Sequence, residues 1–198
     1  GEVGTIGFLD RDDSELVLYQ GWRFEELDQP FVYEEVSSNL LSSGAGTWIR
    51  TGTVGALQVN ATDVDLVSGT QWTGDGQDMV LEVSTLDTTD TAFSYSGRTL
   101  DIRAALQASY SGGSFETSTL ALSGNQAFAS SVSVFGDTLN VTNAPLLDLA
   151  SGANFDFRTY SVACTDLTLA LGTSFNAAGR GHGAAGGLGA GGTHTGGG

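Results

Sequence analysis

The chain contains no lysine. Its seven basic residues are all arginine, and they face 23 aspartates and glutamates, for a formal charge of -16. Nucleic acids and anionic membranes both require a cationic face, so this balance excludes them as expected partners. A single cysteine, Cys164, excludes an intrachain disulfide framework and leaves the redox compartment unread. No apolar run reaches the length of a membrane span or of a signal-peptide core. Charged residues make up only 15%, whereas 40% hydrophobic content over 198 residues is enough for one domain with a core. The chain starts at Gly1 and stops inside a glycine run, which leads us to expect a processed protein or a segment of a larger one.

Acidity is concentrated at one end. Residues 1–40 carry ten acidic groups (Glu2, Asp10, Asp12, Asp13, Glu15, Glu25, Glu26, Asp28, Glu34, Glu35) against Arg11 and Arg23, and the other thirteen acids are spread thinly over 41–198.

What the chain does have is a repeat. Aromatic residues recur at Trp72, Phe93, Phe115, Phe135, Phe155 and Phe175, with spacings of 21, 22, 20, 20 and 20. The surrounding pattern recurs in "VDLVSGTQW", "LDLASGANF" and "LTLALGTSF", each placing Leu, Gly and an aromatic at the same offsets. A second column is formed by Leu57/Val59, Leu81/Val83, Leu100/Ile102, Leu120/Leu122, Leu139/Val141 and Tyr160/Val162. Within each unit the apolar residues alternate, which is strand spacing. About 20 residues per unit is too few for a propeller blade of roughly 40–45, and the leucine-rich-repeat signature is absent. A β-solenoid remains, each coil made of three short strands and three turns. At about 3.3 Å per residue, a coil has a perimeter near 66 Å, enough for a filled three-sided cross-section. The glycines preceding the aromatics are expected at corners of positive φ. Leu16/Leu18 and Val36 echo the pattern before residue 55.

Coil length and stacking resemble the right-handed parallel β-helix family, also called pectin-lyase-like, over roughly residues 56–178. The expected fold is therefore all-β, a right-handed parallel β-helix with about 20-residue coils, followed by a glycine-rich non-regular segment. Its divisions are an acidic N-terminal cap or set of irregular first coils (1–55), the solenoid repeats (56–178) and the glycine-rich segment (179–198). The resemblance implies an extracellular or cell-surface setting and often a carbohydrate context.

Enzymes of that family use clustered carboxylates and a basic residue on one face. Asp63 with Asp65, Asp87 with Asp90, and Arg98 or Arg103 are the available groups, but the pairs are not expected to recur at coil spacing. Solvated outward positions account for them better, and no catalytic residue is assigned. "DRDDSE" (Asp10, Asp12, Asp13, Glu15) bunches the oxygen ligands that calcium takes. It lacks the glycine and distal glutamate of an EF-hand, so an acidic loop explains it better. Calcium is the sole cofactor candidate. "FEELDQPFVYEEV" (24–36) is read as an exposed strip or a capping edge, since an open solenoid end is a bare sheet edge.

Asn60-Ala-Thr62 and Asn140-Val-Thr142 are glycosylation sequons on outward positions. Thr99, Thr119, Thr138 and Thr159 form a ladder of strand formers rather than an ice- or sugar-binding array. Trp22 and Trp48 have no counterpart in the repeat. Cys164 is expected to face inward, and His182 and His194 are too sparse for a metal site.

From Gly179 to Gly198, eleven of twenty residues are glycine, without proline or a period of three, which excludes collagen. Such a run approaches other backbones closely, and Gly181, Gly183, Gly186, Gly187, Gly191 and Gly192 are the expected assembly residues. The expected function is a structural subunit or module of an extracellular filament, appendage or surface layer, assembling through solenoid ends and the glycine-rich tail. A cell-surface adhesin or carbohydrate-binding module is the alternative, and a polysaccharide-active enzyme the third reading. Expected partners are further copies or modules of the same kind, or glycans.

Overall fold

A computed structural model describes Gly7–Asp10, Glu15–Leu18, Gly21–Phe24, Phe31–Tyr33, Asn39–Ser42, Trp48–Thr51 and residues 57–177 except 68, 75, 77 and 130. The first six segments are strands β1 to β6 in that order. They are followed by β7 (Leu57–Leu66), β8 (Gln71–Gly74), β9 (Met79–Thr89), β10 (Ala92–Ser111), β11 (Ser114–Phe128), β12 (Ser133–Leu149), β13 (Asn154–Leu169) and β14 (Ser174–Asn176). Among the described residues every pairing is parallel except β1 with β2, and the strands stack as a β-solenoid of about five turns.

The strands are longer than the three short ones expected per coil. β10 alone runs through 20 residues and passes two corners, marked by register shifts between Tyr95 and Thr99 and between Ala104 and Ala108. The ladder survives the corners because the neighbouring coil bends at the same places.

Three sides result. On the first, Trp72, Phe93, Phe115, Val134, Phe155 and Phe175 are successive register partners. Trp72 and Phe93 stack at 6.0 Å between ring centroids, Phe93 and Phe115 at 4.8 Å, and Phe155 and Phe175 at 5.3 Å. The expectation for Phe135 is corrected. Val134 takes its place in the column, and Phe135 lies one residue further on, between Glu116 and Asp156 in register and 36% exposed. The smaller valine leaves room that a different side of the coil fills. Phe128 reaches in, edge-on to Phe115 at 6.2 Å and to Phe155 at 5.0 Å, and stacks on Tyr110 at 4.4 Å. The aromatic core is therefore continuous although its column is not.

The corner before this side explains the register. Gly69, Asp90, Gly112, Ser131, Gly152 and Gly172 all have positive φ, and each stands three residues before its column member. Glycine adopts this conformation freely, whereas for another residue it costs about 1–2 kcal/mol. Ser131, at φ 69, is exposed and adopts it without glycine's freedom. Ser131→Gly is therefore expected to stabilise the fold by about 0.5–1 kcal/mol after the entropic cost of glycine, read as a higher urea midpoint.

The second side carries two inward columns. One is Met79, Leu100, Leu120, Leu139 and Tyr160, with Leu57 in register before Met79; the other is Val59, Leu81, Ile102, Leu122, Val141 and Val162. The expected pairing of Leu81/Val83 with Leu57/Val59 is thus two residues out of register, since Met79 occupies the leucine position. Thr99, Thr119, Thr138 and Thr159 are register partners at the start of this side.

The third side runs Leu16, Leu40, Val64, Leu86, Ala108, Gln126, Leu147 and Leu167. Leu16 and Leu40 place β2 and β5 on the same ladders, and Leu18 is fully buried. Val36 lies outside the described residues. On the aromatic side, Trp22 and Ile49 are register partners that continue the Trp72 column backwards, whereas Trp48 pairs with Gln71 one residue away.

Gln126 replaces an apolar residue inside this side and is completely buried. It accepts from the Tyr110 hydroxyl at 2.8 Å and donates to the Ser123 carbonyl at 2.7 Å. Tyr110→Phe leaves the Gln126 carbonyl without that donor, and an unsatisfied buried group costs about 1–3 kcal/mol. Burial also pushes the Tyr110 phenol well above its ordinary value of 10.0. A raised folded-state value means that the associated stability is intact below about pH 10 and is lost as pH climbs beyond it. Denaturant midpoints measured across pH 8–11 are expected to fall at the alkaline end, and less steeply in Tyr110→Phe.

Candidate functional site

Strand alternation sends every second side chain outward, so surface groups line up in columns as the core does. On the third side, Asp65, Asp87, Ser109, Ala127 and Asp148 form one outward column. The pairs do not recur as pairs, since Asp63 faces Thr85, but the coil separating Asp65 from Asp87 is 22 residues long and makes those two direct register partners. Asp63 accepts a hydrogen bond from the Thr85 hydroxyl of the next coil. Both Asp65 and Asp87 are exposed, and Asp90 is displaced to the following corner.

The arginines stand elsewhere. Arg103 projects from the second side, donating to Asp101 at 2.7 and 3.0 Å, with Glu82 of the preceding coil at 3.6 Å. The Asp101 hydrogen bonds hold its guanidinium above its ordinary pKa despite partial desolvation, so Arg103 is a permanent cation. Arg98 is exposed at the corner preceding that side. Neither arginine shares a column with Asp65 and Asp87.

Of the acidic loop, Asp10 and Glu15 are partners across the antiparallel β1–β2 pair, whereas Asp12 and Asp13 lie outside the described residues. Among the described residues, no group of three or more His, Cys, Asp and Glu side chains is placed to hold a metal ion. Gly181, Gly183, Gly186, Gly187, Gly191 and Gly192, together with both histidines, also lie outside them.

Asn60 and Asn140 sit in mid-strand, each between two buried residues and half-buried itself. The Asn60 amide oxygen accepts from the Gln58 amide at 3.0 Å. Asn60 also lines a shallow hollow with Thr62, Glu82, Ser84 and Ala105. Cys164 is half-buried against the core beside Ala144.

Two surface features are not evident from the sequence. Displaced from the column, Phe135 lines a second hollow with Ser96, Glu116, Ser118 and Asp137. Asp137 accepts from Ser118 at 3.3 Å and pairs with Arg158 at 3.3 Å.

The larger feature is the last coil. Leu147, Leu149 and Phe155 are 1%, 0% and 1% exposed, whereas their partners one coil later, Leu167, Leu169 and Phe175, are 48%, 54% and 39% exposed. Val162 and Leu171 are exposed as well. Tyr160 covers part of this end. Its ring lies edge-on to Phe157 at 5.8 Å and to Phe175 at 5.5 Å, and its hydroxyl lies 2.9 Å from the carbonyls of Phe155 and Asn176. The columns thus keep their apolar residues in a coil on which no further coil lies among the described residues. Only the spacing of Phe175 and the Leu-x-Leu of 167–169 hint at this in the sequence.

In comparison with known proteins, no family model, curated protein or solved structure matches this chain.

Proposed function

We propose that the chain is a structural subunit or module of an extracellular filament, appendage or surface layer, and that it associates through the ends of its solenoid. The observation that carries this reading is the bare apolar coil at Leu167, Leu169, Leu171 and Phe175. Solvent-exposed ladder positions gain nothing from leucine or phenylalanine unless something covers them, and contiguous exposed apolar surface marks an interaction site. An open end also presents unpaired backbone groups, a template for further strands. The extracellular setting rests on the likeness to right-handed, pectin-lyase-like surface β-helices.

Light scattering over a concentration series, with electron microscopy of the same samples, tests the proposal. Concentration-dependent association, weakened by Leu167→Glu with Leu169→Glu, is the expected result. A full-length chain that stays monomeric throughout would overturn it.

Phe135 favours a second reading, a carbohydrate-binding surface. An exposed ring flanked by Glu116, Ser118 and Asp137 offers a stacking platform with hydrogen-bonding groups at its rim. Glycan-array binding that disappears in Phe135→Ala supports that reading, and an array with no bound glycan removes it.

A further inference from the structure

We infer that the occupant of the bare coil is the same coil of a second copy, so that two solenoids meet tail to tail across a two-fold axis. This deepens the proposed end-to-end association and rests on it.

Three observations select this occupant. First, covering Val162, Leu167, Leu169 and Phe175 requires apolar side chains on three sides of a coil. Residues 178–198 offer one large apolar side chain, Leu188, among alanines and glycines. One such side chain does not match the four that these columns present.

Secondly, charge separates the two ends. Residues 159–177, which form the final coil, include a single charged residue, Asp166. At the other end, the outermost described pair, β1 with β2, carries Asp10 and Glu15 as register partners. Head-to-head contact sets like charges against each other. Head-to-tail contact desolvates carboxylates against leucines with no cation to compensate. Tail-to-tail contact covers apolar surface with apolar surface and meets almost no charge.

Thirdly, the ends differ in their strands. At the acidic end, β1 lies antiparallel on β2. At the other end, β13 is the outermost strand described on the second and third sides. A two-fold axis reverses strand direction, so β13 of one copy meets β13 of the other as an antiparallel pair, a regular ladder geometry. Such an interface is isologous and self-complementary, as closed dimers require.

The test places one nitroxide per full-length chain at residue 168, using Thr168→Cys in a Cys164→Ala background. Thr168 is exposed and points away from the columns of Leu167 and Leu169. Two labels at a tail-to-tail joint lie within one coil cross-section, below about 30 Å for a perimeter near 66 Å. Head-to-tail copies separate the labels by the length of the stack, roughly 40 Å for the nine strands β1, β2, β5, β7 and β9 to β13 at about 4.8 Å each. Dipolar distances below about 30 Å, lost when Leu167→Glu and Leu169→Glu are added while the circular dichroism spectrum is unchanged, are the expected result. Association by light scattering with only the longer distances overturns the tail-to-tail joint but leaves end-to-end association standing. A monomer without dipolar coupling overturns both.

Discussion

Gly124→Ala is expected to remove roughly 3–5 kcal/mol of stability. Gly124 turns the corner between the second and third sides at φ 80, in register with Ala104 of the preceding coil. Two costs combine there. A left-handed alanine is unfavourable by about 1 kcal/mol or more. Its new Cβ also lands inside contact distance of the Ala104 carbonyl oxygen, with the carbonyl carbon at 2.8 Å. That carbonyl belongs to a backbone held on its other side by Val83, so it has little room to retreat. The rungs must separate instead, and a stacked array depends on the interface between neighbours. Gly97→Ala isolates the first cost. Gly97 has φ 75, but nothing lies within 4 Å of the place an alanine methyl would take, so only the conformational cost of about 1 kcal/mol applies. Urea unfolding of both variants measures the difference. Equal losses would refute the role given to the Ala104 contact.

The period is legible because equivalent residues stack directly. Trp72, Phe93, Phe115 and Phe155 align by spacing alone, and the structure places them in one column. The slip at Phe135 has a local cause. In "SVSVFGD" the corner residue is Ser131 rather than glycine, so the marker that Gly69, Gly152 and Gly172 provide three residues before their partners is missing. Alternation alone selects Val134, since Val132 and Val134 are both buried. An aromatic residue at the repeat spacing outweighs that weaker signal. The slip at Leu81 arises similarly: the Leu-x-Val pattern of 81–83 hides Met79, and the irregular spacings of 24 and 19 are its visible trace.

The middle coils of the third side stay hidden for a different reason. Its columns change chemistry from coil to coil, from Leu86 to Ala108 to Gln126 in one and from Thr88 to Tyr110 to Phe128 in the other. The aliphatic class of Val64, Leu86, Leu147 and Leu167 is interrupted in these middle coils, because the interior compensates across sides. Small Ala108 sits in the column beside bulky Tyr110, and Phe128 fills the space that Val134 leaves. Such compensation is a property of packed volume, which no single column records. The first coils are obscured by length, since Trp22 and Ile49 are 27 residues apart. The sequence places Leu167, Leu169 and Phe175 on the columns but does not show that they are exposed, because exposure depends on what lies against them.

Phe155→Ala is expected to cost about 3–5 kcal/mol, the range for truncating a buried aromatic that leaves a cavity. Phe155 is where two packing schemes meet. Phe128 reaches it from the third side at 5.0 Å, Phe175 stacks on it at 5.3 Å, and Val134 precedes it in the column. Neither ring can fill the void without giving up another contact, since Phe128 also holds Tyr110 and Phe115. Phe175→Ala makes the same chemical change one coil later, where solvent already reaches the ring. Its loss is expected to be near 1 kcal/mol in the isolated chain, because only part of the apolar surface was removed from water. In the tail-to-tail joint the ring becomes buried, and the same substitution then weakens association as well as folding. The two variants therefore separate what the solenoid needs from what its end needs. Phe155→Ala lowers the denaturant midpoint whatever the protein concentration, whereas the effect of Phe175→Ala grows as concentration rises. If the Phe175→Ala loss stayed constant across a concentration series in which the parent chain associates, the bare ring would have no part in the contact.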